Sequence, residues 1–206
     1  DLKMADMFGN SPKTVMRDST VSLEFKNAGF DAAKIADYVT SVLSLESVGC
    51  KDWLTNKVDR SVTGRVARQQ CQGEIQLPVS DCGVVAMDYT GRSGIATSIG
   101  HAPQIALADS AKGSVMAIAE ALTNIVGAPL ADGLKSVSLS ANWMWPCKNQ
   151  GEDAALYRAV EACSRFAIDL GINIPTGKDS LSMTQKYGDR KVFAPGTVII
   201  SAAGET

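Results

Sequence analysis

The sequence predicts an α+β domain of two layers, with helices on one face of a mixed β-sheet. Two long segments, residues 103–126 and 152–170, repeat apolar residues at the helical period. Several short apolar runs bounded by Gly-containing turns read as strands. Some of these runs follow one another directly and others are separated by a helix, so hairpin and crossover connections must coexist in one sheet.

Residues 1–30 are polar and irregular, with Gly9-Asn-Ser-Pro12 as a loop signal. From Asp31, a candidate N-cap, Ile35, Tyr38, Val39, Val42 and Leu45 recur at helical spacing. A polar stretch, 51–61, leads to an edge strand at 62–68. The next strand, 82–89, a turn at Gly91-Arg-Ser-Gly94 and a strand at 95–99 form a hairpin. One long helix then spans about 103–126, its apolar stripe being Leu107, Ala111, Val115, Ile118, Leu122 and Ile125. A strand at 135–141 precedes a second helix, 152–170, with acidic residues in its first turn and Gly171 where a C-cap belongs. Strands near 181–185 and 197–201 complete the set. No further helix in the chain is available to cover the sheet face opposite the helices.

With 206 residues, 45% apolar and 20% charged, the chain has ordinary globular composition. A net charge of −2 and few aromatics argue against nucleic acid as a partner. No apolar run is long enough to span a membrane, which leaves a soluble, cytoplasmic protein as the expectation. The five cysteines and the single histidine, His101, lack zinc or redox spacing. A first residue of Asp rather than Met, and a strand running to the last residues, point to a piece of a longer chain.

Opposite the apolar stripe of the 103–126 helix lie Gly113, Ala117, Glu120 and Asn124. A solvated face would carry Lys, Arg and Glu throughout; small residues ending in a carboxylate and an amide indicate close approach of a ligand or of backbone. Glu120 and Asn124 stack on one face and form a partial shell for a hard cation such as Mg²⁺, or else they pack on another segment. Asp81, at the mouth of the 82–89 strand, is a third candidate ligand or a turn cap. Gly177-Lys-Asp-Ser180 is a Gly-containing turn that lacks P-loop spacing, yet Lys178 and Ser180 can contact phosphate; a hairpin entry is the alternative. His101 has no Ser or Cys partner at triad spacing, and Trp143-Met-Trp145 is either core or the roof of a ligand site.

Six ordered stretches add a resemblance: Thr63-Gly-Arg-Val-Ala-Arg-Gln69, Leu77-Pro-Val-Ser-Asp-Cys82, Glu120-Ala-Leu-Thr-Asn-Ile125, Ser140-Ala-Asn-Trp-Met-Trp145, Gly151-Glu-Asp153 and Gly177-Lys-Asp-Ser-Leu-Ser-Met183. Together they resemble the large, single-chain formylglycinamide ribonucleotide amidotransferase family over nearly all of residues 50–206, and the segment from Ser11 to Leu45 resembles it too. The family joins formylglycinamide ribonucleotide, ATP and glutamine into formylglycinamidine ribonucleotide, ADP, phosphate and glutamate. Its synthetase portion has two halves, each like aminoimidazole ribonucleotide synthetase. The chain resembles the first α/β domain of the second half, which implies residues 58–206 as that domain and residues 1–57 as a segment with one helix leading into it.

The resemblance implies an auxiliary, non-reacting nucleotide, ATP or ADP, held with Mg²⁺. Asp81, Glu120 and Asn124 match metal-ligand positions and Ser80 a nucleotide-contacting one, with a further acidic ligand expected from a downstream domain. It assigns no catalytic residue here, since the glutamine-hydrolysing cysteine lies in a separate domain, and it implies that this piece alone is inactive. Implied partners are the other synthetase half and the glutaminase domain; self-association into a homodimer through the open sheet face is expected of the isolated piece. Two other readings are direct participation in the synthetase site through Lys178 or Asp179, and a purely architectural domain without ligand.

Overall fold

The structure, a computed structural model, describes residues 1–9, 15–46, 48–49, 65–78 and 80–206. The polar stretch 51–61, the start of the predicted 62–68 strand, Cys50 and the expected boundary at residue 57 lie outside the described residues. In chain order the elements are α1 (Met4–Phe8) and α2 (Ile35–Leu43), then β1 (Val66–Arg68), β2 (Cys71–Gln72), β3 (Leu77–Pro78), β4 (Cys82–Ala86) and β5 (Gly94–His101). After α3 (Pro103–Ala108) and α4 (Ser110–Ile125) come β6 (Val137–Met144), α5 (Glu152–Leu170), β7 (Asn173–Ser180), β8 (Thr184–Tyr187), β9 (Arg190–Phe193) and β10 (Thr197–Glu205).

Six strands pair in the order β1-β4-β5-β10-β6-β7. All these pairings are antiparallel except β6 with β7, which α5 joins as a parallel crossover. The last strand thus sits in the middle of the sheet, between β5 and β6. The expected mixed two-layer α+β architecture is what folds.

Local chemistry explains the elements that were predicted closely. Glu152 and Asp153 favour the positive end of α5, and Gly171 closes it at φ 69°, a left-handed conformation suited to glycine. The β4–β5 hairpin turns on Asp88, whose carboxylate accepts from the Thr90 and Gly91 amides, both at 2.7 Å, and from the Thr90 and Ser93 hydroxyls at 2.8 and 2.9 Å. Those bonds, the Thr90 hydroxyl's first, hold the Asp88 carboxyl below the usual carboxylate range.

Four expectations change. The single helix over 103–126 is two, because Asp109 is extended (φ −152°, ψ 104°) and caps α4 by accepting from the Lys112 amide at 3.1 Å. Gly177 does not make a turn: Gly177, Lys178, Asp179 and Ser180 belong to β7, paired with Ala141 to Met144 of β6. Glycine is required there because a Cβ would lie 2.2 Å from the Ala141 carbonyl oxygen. The strand expected at 181–185 begins at Thr184 and pairs with β9 as a separate ribbon, and residues 4–8 form a short helix where an irregular segment was expected.

Alternation sorts the sheet residues. Ala96 and Ser98 of β5, Leu139 and Ala141 of β6, and Val198, Ile200 and Ala202 of β10 are buried on the helix side, against Ala117, Ile118, Ala121, Leu122 and Ile125 of α4 and Cys163 and Ala167 of α5. The two helices approach through small residues: Ser110 and Ser114 donate across to the Ala155 and Ala159 carbonyls, each at 2.9 Å. Trp145 is core, 2% exposed, with Gly196 against its indole. The opposite face carries Thr97, Ala203 and Ser138 in one cross-strand row and Ile99, Ser201 and Ser140 in the next. Ile99 there is 56% exposed, so this face stays open to solvent.

The N-terminal arm packs differently. Asp31 caps the 3₁₀ turn that opens α2 by accepting from the Ala33 amide at 3.0 Å, yet Ile35, Val39 and Val42 all remain about half exposed. What ties the arm down is Asp18, whose carboxylate accepts from the amides of Gly151, Asp153 and Ala154 at the start of α5, at 3.0, 3.1 and 3.2 Å. The Thr20 hydroxyl accepts from Arg158 at 2.7 Å alongside.

Candidate functional site

The small-residue stripe of α4 is buried, Ala117 against β5 and Gly113 against α3, contrary to its expected place opposite the buried stripe. Gly113 and Ala117 are buried while Leu107 is 49% exposed. A Cβ on Gly100 of β5 would lie 2.2 Å from the Ala117 carbonyl oxygen, and one on Gly113 would lie 2.5 Å from Ala106. The small residues therefore admit backbone, and helix and strand touch closely. Three polar bonds frame this contact. Ser98 donates to the Ala121 carbonyl at 2.6 Å, the His101 amide donates to Glu120 Oε2 at 2.6 Å, and Asn124 Nδ2 donates to the Ile99 carbonyl at 3.0 Å.

Glu120 and Asn124 consequently have two functions. They hold α4 against β5, and they line a cleft of about 920 Å³ that spreads over the open sheet face. Ser80, Asp81, His101 and Arg68 line the same cleft, with Thr176 of β7 at its far side. The structure thus brings Ser80, Asp81, Glu120 and Asn124 to one cleft. Lys178, exposed, and Ser180, half-buried, lie further along β7 and outside that lining, with Lys178 Nζ donating to Ser180 Oγ at 2.9 Å.

The donor set suits a hard cation. Asp81 is exposed at the entrance to β4 and supplies a carboxylate. Asn124 spends its amide nitrogen on Ile99, which presents its amide oxygen, the atom such a cation binds. Glu120 holds the His101 amide through one oxygen and keeps a second. Oxygens from all three would supply half of the octahedron that Mg²⁺ prefers, the rest commonly being water and phosphate. Among the described residues, no three His, Cys, Asp or Glu side chains gather as a metal cluster.

Arg68 lies in the Thr63–Gln69 motif. Its Nε donates to Ser80 Oγ at 2.9 Å and its Nη1 reaches the Gly127 carbonyl at 3.5 Å, just beyond the C-terminus of α4. Burial pushes the neighbouring Cys82 thiol up, with the Arg68 charge partly opposing it. Only an arginine ending a short edge strand was legible beforehand. The partners that aim it come from positions 80 and 127.

A helix-backed mixed sheet with an open face is a fold also found in PurL structures. PurLQS from Thermotoga maritima matches with a TM-score of 0.63 at 15% identity, over 100% of this chain and 30% of that one. T. maritima PurL complexed with AMPPCP matches at 0.54 and 16%, over 97% of this chain and 29% of that one. At such identities the likeness is one of fold. The chain belongs to the FGAR-AT PurM_N-like domain family, whose match covers residues 50–205.

Relatives named phosphoribosylformylglycinamidine synthase agree. The human protein is 48% identical over 161 residues, 78% of this chain, and that of Drosophila melanogaster is 39% identical over 202 residues, 98% of it. A probable chloroplastic/mitochondrial counterpart from Arabidopsis thaliana is 40% identical over 205 residues. The chain spans 12–15% of the length of these relatives. No helix among the described residues is long and apolar enough to cross a membrane.

Proposed function

We propose that this chain is a nucleotide-holding domain of a glutamine-dependent, ATP-consuming ligase that makes formylglycinamidine ribonucleotide for purine biosynthesis in the cytoplasm. The observation that carries the reading is the convergence of Ser80, Asp81, Glu120 and Asn124 on one cleft. Asp81, Glu120 and Asn124 would hold Mg²⁺, which would neutralise phosphate charge, and Ser80 would sit beside the nucleotide. Lys178 and Ser180 are the groups that a phosphate chain extending along β7 would meet. With no nucleophile or general base assigned in the cleft, the bound nucleotide stabilises the fold by mass action, and the chain by itself is inactive. The open sheet face is where a sister domain of the ligase, or in its absence a second copy of this chain, would pack.

A second reading has its own support. Glu120 and Asn124 already bond the β5 backbone, so both are also explained as struts of a purely architectural domain. Nucleotide released by acid from the full-length protein, carrying Asp81→Asn or Glu120→Gln, separates the two. Asp81 is exposed, and its substitution spares the strut. Loss of the auxiliary nucleotide in a folded Asp81→Asn protein supports the metal–nucleotide site. Unchanged nucleotide content in both variants leaves the architectural reading.

A further inference from the structure

The guanidinium of Arg68 stands in a cleft with two carboxylates, Asp81 and Glu120, and forms an ion pair with neither. It is half-buried, which costs hydration, and among the described residues its two polar contacts are to neutral oxygens, Ser80 Oγ and the Gly127 carbonyl. These bonds occupy two of its five N–H donors and fix the plane of the fork. An oriented guanidinium with donors to spare, placed near but not on carboxylates, matches a ligand that carries several anionic oxygens. A cation between those carboxylates and the ligand would complete the charge pattern.

We propose that Arg68 is a phosphate-positioning residue of this cleft, set in place by Ser80, and that it grips the di- or triphosphate of the nucleotide. The proposal rests on the nucleotide reading and refines the role of Ser80, which aims the arginine. Two phosphates offer the fork more oxygens than one, so affinity must depend on phosphate number through Arg68. Lysine at this position keeps the charge but loses the fork.

The test uses the 206-residue chain and its Arg68→Met, Arg68→Lys and Ser80→Ala variants, with calorimetric titration of ADP, AMP and adenosine in the presence of Mg²⁺. Circular dichroism and thermal melts control for folding. The expected result is an ADP affinity at least about tenfold weaker in Arg68→Met, a smaller loss in Arg68→Lys and Ser80→Ala, and adenosine affinity unchanged in the two arginine variants. An Arg68→Met chain that binds ADP like the unaltered one overturns the assignment while the nucleotide reading stands. Equal loss of ADP and adenosine also overturns it, reducing Arg68 to a rivet between β1 and α4. Inorganic pyrophosphate keeps the proposal testable if nucleosides do not bind. A melting-point rise with pyrophosphate that vanishes in Arg68→Met supports the phosphate grip without the nucleoside, and no rise in the unaltered chain overturns it.

Discussion

Replacing Gly100 by alanine tests how tightly α4 is set on β5 and, through that, how Glu120 and Asn124 are placed. The new methyl would lie 2.2 Å from the Ala117 carbonyl oxygen, 2.4 Å from the Ala121 amide nitrogen and 3.1 Å from the Ala121 Cα. All three are backbone atoms of a packed helix, so no flexible side chain can give way. To reach ordinary contact the helix must retreat by about 1 Å. Overpacking of this kind costs about 1–3 kcal/mol. The same retreat stretches the Ser98–Ala121, Glu120–His101 and Asn124–Ile99 bonds, now at 2.6, 2.6 and 3.0 Å, each contributing about 0.5–1.5 kcal/mol. The expected loss is therefore about 3–7 kcal/mol, a large part of a domain's usual stability. Equilibrium urea unfolding, followed by tryptophan fluorescence, reads it directly, with Gly29→Ala as the control because nothing lies within 4 Å of that position. A Gly100→Ala loss below about 1 kcal/mol, at unchanged m, would refute the close-contact argument.

Three further outcomes are expected. Sedimentation should show self-association of the chain at high concentration, and Ile99→Lys on the open face should abolish it; a monomer at every concentration tested sinks the pairing proposal. Asp18→Ala should speed hydrogen exchange at the Gly151, Asp153 and Ala154 amides, and unchanged exchange would show that Asp18 does not anchor the arm. Four backbone hydrogen bonds, Gly151's first, lower the Asp18 carboxyl, so its contribution is present above the ordinary carboxylate range and is lost as pH falls through its lowered value. Glu152, Asp153 and Arg158 are the charged groups beside it, and the same exchange measurement at acidic pH should show the arm released. Finally, burial pushes the Cys147 and Cys163 thiols up to about 12 and about 11, so both should resist alkylation at pH 8 in the folded chain and react once it is unfolded; rapid native labelling at either would show that its burial is wrong.

The sequence by itself determined what depends on neighbouring residues. The limits of α5 follow from two acidic residues and a left-handed glycine within the helix's own ends, and the β4–β5 hairpin follows from apolar runs around a turn. Stacking of Glu120 and Asn124 follows from helical periodicity alone. Family membership was legible too, because ordered motifs survive without knowledge of contacts. Tertiary structure decided the rest. The period of α3 and α4 runs unbroken through Asp109, so only their packing, with Gly113 against Ala106, shows the break. Gly177 looks like a turn residue until β6 lies beside it and its missing Cβ is seen to admit the Ala141 carbonyl. The small stripe of α4 was compatible with a ligand or with backbone, and Gly100, in another element, settles that contact. Arg68 depends on Ser80 and Gly127, and Asp18 on amides more than 130 residues away. Such pairings depend on chain topology, since a hydrogen bond or a close contact needs two groups in space, and local propensity specifies each group alone.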